Sequence, residues 1–143
     1  MLENLEADLQ GTRERLLRRA LDPGGFIGLI ELQVELAESI MRSEVARRRL
    51  PKQSDERALW KYHDQQLRVV GDTLAWLALD SHTIRNLGKG PGRPASLSGQ
   101  WSDFQFVLQT ARRIAGAGLV VLVCDVTNVL LAGDLVVRFE SGS

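Results

Sequence analysis

The chain has 143 residues, and its 18 Lys+Arg against 18 Asp+Glu give a formal net charge of zero, which argues against a whole-surface basic nucleic-acid binder. Hydrophobic residues at 44% and charged residues at 25% are ordinary for one globular domain. The single cysteine, Cys124, excludes an intrachain disulfide framework and a cysteine zinc cage, and two histidines argue against a histidine-rich metal site.

Residues 2–21 predict a first helix, with Leu2, Leu5, Leu9, Leu16, Leu17 and Leu21 at helical spacing and Glu14 four before Arg18. Asp22-Pro23-Gly24-Gly25 stops it. A second helix is expected over 26–49. Phe26, Leu29, Ile30, Leu36, Ile40 and Val45 form its stripe, and Ile27, Val34 and Met41 widen that stripe until the helix is buried on more than one side. Arg47-Arg48-Arg49 suits its C-terminus, where cations complement the macrodipole. Ser54, followed by Asp55 and Glu56, predicts a capped third helix to about residue 80. Within it Trp60 and Trp76 are sixteen apart, so they point ~160° away from each other. One is therefore expected in the core and the other exposed or in an interface. Ser81 to Leu87 is read as a further helical turn or two.

Residues 88–99 hold four glycines and two prolines, too many for a helix or a central strand. A fourth helix follows to about Ala115, with Ser102 expected as its cap and Phe104, Val107, Leu108, Ala111 and Ile114 as its stripe. Leu119–Cys124 and Leu135–Phe139 are β-branched runs that predict two strands of a hairpin. The fold class is thus mainly α, with four or five helices and a C-terminal β-hairpin, becoming α+β if further strands are supplied. The domain organisation is a helical region at 1–87, a Gly/Pro-rich loop or linker at 88–100, and a helix plus hairpin at 101–143. The N-terminus is acidic, and the longest apolar run is about a third of the ~20 residues a membrane span requires. A soluble cytoplasmic protein with a reduced cysteine is expected, without membrane association.

Chemistry-bearing residues gather in a few places. Between residues 42 and 61, Arg42, Arg47, Arg48, Arg49, Lys52, Arg57 and Lys61 face three acids, a local excess of +4 beside Trp60 and Tyr62. Basic residues with aromatics hold phosphates and stack bases, so Arg47, Arg48, Arg49 and Lys52 are candidate contacts to DNA or RNA. A solvated helix end is the alternative. Gly88-Lys-Gly-Pro-Gly-Arg-Pro94 resembles an AT-hook around its Gly-Arg-Pro core, which adds Lys89 and Arg93 to the same candidates; with only those two basic residues flanking the core, a flexible loop is the simpler explanation. Glu31 and Glu35 share a helix face. They are either an inward carboxylate pair, completed by His63 or Asp72, or a solvated stripe running on to Glu38 and Arg42.

The C-terminal stretch from Asp125 through Gly133-Asp134-Leu-Val-Val resembles the front half of a restriction-endonuclease-like, or PD-(D/E)-x-K, nuclease core. In that family a helix leads into a strand, a hairpin presents an aspartate at the start of the second strand, and a third strand adds Glu-x-Lys. The resemblance covers about forty residues, roughly 101–140. It implies Asp134 as a metal ligand, Asp125 as a second carboxylate and magnesium as the ion, bound weakly by this chain alone. No Glu-x-Lys follows Asp134 here, and the helix before the first strand has Asp103, Gln105 and Gln109 but no glutamate. The missing strand is expected from residues beyond Ser143, or absent from a degenerate protein. The function implied is a nuclease-related nucleic-acid-processing domain with an incomplete active site. The alternative is a non-catalytic helical interaction module whose apolar stripes bury against a second copy or another protein partner.

Overall fold

A computed structural model describes residues 2–79, 97–127 and 135–138, leaving aside the side chains of Ser98 and Asp125. The expectations for residues 80–96, including Lys89 and Arg93, and for Asp134 lie outside the described residues. Helix α1 spans Leu2–Leu21, α2 Gly25–Arg48, α3 Asp55–Ala78 and α4 Trp101–Gly116. Strands β1 (Val120–Val123) and β2 (Leu135–Arg138) form an antiparallel pair, with Val121 opposite Val137 and Leu122 opposite Val136. The protein is mainly helical with a C-terminal hairpin.

The turn between α1 and α2 depends on two glycines. Gly24 and Gly25 have φ of 81° and 92°, a left-handed path that side chains with a Cβ rarely follow. The chain reverses there, so α2 runs back along α1. At its other end α2 reaches α3 through a short turn. Ser54 caps α3 with its hydroxyl, which accepts from the Arg57 N–H at 3.1 Å. Arg57 also donates to the Leu50 carbonyl at 3.0 Å, tying the helix start to the turn before it.

Helix α2 is the centre of the molecule. It packs on α1, α3, α4, β1 and the 3-10 turns Ser98–Gln100 and Cys124–Val126. Its apolar residues therefore fall on all sides, and Ile30, Leu32, Leu36, Ala37 and Ile40 are fully buried. A single core joins these to Leu16 of α1, Leu67 of α3, Leu108 of α4 and Val121–Val123 of β1. The segments on either side of residues 80–96 thus share one interior.

Two close approaches fix the second half against the first. Gln33 of α2 is buried and uses its amide on both sides. Its Nε2 donates to the Val121 carbonyl at 2.8 Å, and its Oε1 accepts from the Val123 N–H at 2.6 Å. Those two backbone groups point away from β2, so the amide stands where a neighbouring strand would. Gly71 of α3 is the other contact, because a Cβ placed there would lie 2.0 Å from the Val126 carbonyl oxygen.

The fourth helix corrects one expectation. It begins at Trp101 directly after the 3-10 turn, and Gln100 precedes it without a side-chain cap. Ser102 is inside the first turn and does not cap, because the preceding turn already leads the backbone into the helix.

Candidate nucleic-acid interface

The corner where α2 ends and α3 begins collects cations. Arg47 and Arg48 come from the last turn of α2, Lys52 from the connecting turn, and Arg57 and Lys61 from the first two turns of α3. With Ala58 they line an open cleft of about 550 Å³. The antiparallel helix pair brings these residues together, as does the short reversal through Pro51. Of the residues expected from the sequence, Arg47, Arg48 and Lys52 meet here. Arg49 does not line the cleft: it is the C-cap of α2, with its N–H bonded back to the Ala46 carbonyl. Arg57 and Lys61 belonged to the basic run in the sequence, but α3 is what turns them into the cleft.

Beneath the cleft lies a buried charge network. Arg68 donates to Glu44 at 3.3 Å and to Asp64 at 3.3 Å. Arg47 faces the other Asp64 oxygen at 3.6 Å. Glu44 also accepts the Leu97 N–H at 3.2 Å, so it holds the chain where residues 97–100 enter the core. Burial pushes the Asp64 carboxyl up from its ordinary value, against the pull of Arg68 and Arg47. Arg47 is therefore anchored through Asp64, while Lys52 and Lys61 make no ion pair among the described residues. Nothing in the local sequence singles out Glu44; the spacing of Asp64 and Arg68, four apart on one helix, is the one local signal of this network.

A second anchored group borders this corner. Arg13 of α1 lies 5.3 Å from the Tyr62 ring centroid and places Nη1 2.9 Å from Nδ1 of buried His63. Arginine only donates, so Nδ1 accepts and the imidazole proton sits on Nε2. Burial, with the nearby Arg13 charge, lowers the His63 pKa to about 4. Trp60 meets His63 edge-on at 6.0 Å and is half-buried beside it, not in the core as expected, while Trp76 is exposed.

The carboxylate pair suggested on α2 is not assembled. Glu31 pairs with Arg112 of α4 at 3.0 Å. Glu35 pairs with Arg15 and Arg19 of α1, and Glu38 with Arg42. Burial works against the Glu35 charge, but the hydrogen bonds from Arg19 and Arg15 outweigh it and lower its pKa. Glu31 and Glu35 thus clamp α2 to α4 and α1, while the Glu38 pair stays within α2. Among the described residues no three His, Cys, Asp or Glu side chains gather as a metal requires. Asp125 has its backbone in the turn after β1, Asp134 lies outside the described residues, and magnesium finds no built site among the rest. Among the described residues no helix is long and apolar enough to cross a membrane. Comparison with protein-family models, with curated proteins and with solved structures finds no match for this chain.

Proposed function

We propose that this chain is the nucleic-acid-holding part of a nuclease-related processing domain. The observation that carries the reading is the cleft of Arg47, Arg48, Lys52, Arg57 and Lys61 on a molecule with no net charge. Five convergent cations create a local potential suited to a phosphate backbone, which releases its counterions when they bind. The C-terminal order is compatible with the same reading. Helix α4 leads into β1, and β2 begins at Leu135, the residue after Asp134. Gln33 already occupies the outer edge of β1, so a strand bearing Glu-x-Lys would pair with β2. The five cations support a phosphate backbone as the group that the cleft meets.

Binding of fluorescein-labelled DNA, followed by anisotropy across a potassium chloride series, tests this. Affinity should fall with salt, and replacing both Lys52 and Lys61 by alanine should flatten the log–log slope by roughly 1.4–1.8, the share of two phosphate contacts. Binding that ignores salt, or a slope that the double substitution leaves unchanged, refutes the proposal.

A second reading is supported by Tyr62, Val69 and Trp76. They are seven apart along α3 and exposed at 52%, 45% and 50%, the spacing of a helix seam. On that reading the chain self-associates through α3. Sedimentation would then show a dimer that Trp76→Glu dissociates; a monomer at micromolar concentration rejects it.

A further inference from the structure

We infer that the cleft takes single-stranded rather than duplex nucleic acid, with a base stacked on Tyr62; this rests on the phosphate-binding reading above. Tyr62 follows cleft-lining Lys61 and lies one helical turn, ~6 Å of rise, beyond cleft-lining Ala58. Half of its surface is open to solvent. Its ring is also held in place. The Arg13 guanidinium lies 5.3 Å from the ring centroid and is itself tied to buried His63 at 2.9 Å. An aromatic face fixed by a tethered cation loses little freedom when a base stacks on it.

The neighbouring aromatic is different. Trp60 is turned edge-on to His63 and half-buried, so Tyr62 is the ring offered next to the cleft. Arg13 of α1 faces that ring, and the cleft cations Lys61 and Arg57 precede it on the same helix by one and five residues. A strand can thus place a base on the ring and its flanking phosphates on charge. In a duplex the bases face each other inside the stack, and a ring on a helix surface reaches none of them. A single strand offers every base face, and stacking on a protein aromatic tolerates any sequence.

The test uses the whole chain with three probes: fluorescein-labelled oligothymidylate of about 16 nucleotides, a duplex of the same length, and inorganic polyphosphate as competitor. Oligothymidylate should bind more tightly than duplex. Tyr62→Ala should weaken oligothymidylate binding about fivefold or more while leaving duplex binding and polyphosphate competition unchanged. Tyr62→Phe should restore the wild-type value, and unchanged circular dichroism should show that the variants fold. Equal binding of the two nucleic acids, or an equal effect of Tyr62→Ala on both, overturns the single-strand inference. In that event continued weakening by the Lys52 and Lys61 substitutions leaves the phosphate reading standing. If no nucleic acid binds, both fall together.

Discussion

Gly71→Ala should destabilise the protein even though alanine is the better helix former. On propensity alone, the change in the interior of α3 would gain about 1 kcal/mol. The structure opposes it, because the new Cβ would lie 2.0 Å from the Val126 carbonyl oxygen and 2.9 Å from its carbon. Both are backbone atoms, and reaching even 3.0 Å from the oxygen requires the helix and the 3-10 turn to separate by about 1 Å. That turn follows directly from β1, whose Val121–Val123 are buried in the core. Overpacking costs typically 1–3 kcal/mol, and a backbone clash of this depth belongs at or above the upper end. The net expectation is a loss of about 2 kcal/mol, or roughly 4–8 °C in Tm for a chain of this size. Gly11→Ala is the matched control, since α1 leaves open space there. It should gain about 1 kcal/mol from helix propensity. Urea and thermal unfolding of both variants read the two signs. Equal stabilisation by both would refute the close packing of α3 on the turn after β1.

Gln33→Leu should cost about 2–4 kcal/mol in urea unfolding, because it strands the buried Val121 carbonyl and Val123 N–H that the amide now satisfies. Hydrogen exchange at Val123 should quicken with it, and an unchanged midpoint would show that these groups have other partners. His63 should make stability pH-dependent between its ordinary pKa of 6.5 and its folded value of about 4. As pH falls through that window the unfolded chain takes up a proton that the buried imidazole beside Arg13 refuses, so stability is full above 6.5 and declines toward 4. His63→Gln should remove that decline, and a difference curve that stays flat against wild type would refute the assignment.

Structure is legible in the sequence where order is local. The leucine spacing of α1, the Ser54 cap and the Asp-Pro-Gly-Gly stop are each written within a few residues. The apolar width of α2 likewise announced that neighbours cover more than one side of it. What escaped were contacts between distant positions. Gln33 reads as a polar break in an apolar helix, and its partners lie 88 and 90 residues away. Glu44 shows nothing of Arg68 or Leu97 until the antiparallel register of α2 and α3 is set. The cleft was legible in part, because its cations straddle one short turn. Which of them converge was not: rotation about α2 sends Arg49 elsewhere, and rotation about α3 brings in Arg57 and Lys61.

The cleft also separates residues that stability explains from residues it does not. Arg47 and Arg48 sit at the C-terminus of α2, where the macrodipole favours cations, and Arg47 also meets Asp64. Arg57 is at the unfavourable end of α3 but bonds the Leu50 carbonyl. Lys61 has no such reason to be there. It lies four residues after Arg57, a like-charge spacing that costs a few tenths of a kcal/mol, and three before Asp64, whose attraction offsets that cost but is shared with Arg68 and Arg47. Its substitution should therefore divide the two roles. Lys61→Gln should leave the urea midpoint within about 0.5 kcal/mol of wild type, as an exposed side chain with no structural task does. The same variant should weaken oligonucleotide binding and lower its salt slope by about 0.7–0.9, one phosphate contact. A stability loss above about 1 kcal/mol with unaltered binding would mean that the cleft exists to hold the corner of the fold together, and the nucleic-acid reading would lose its central observation.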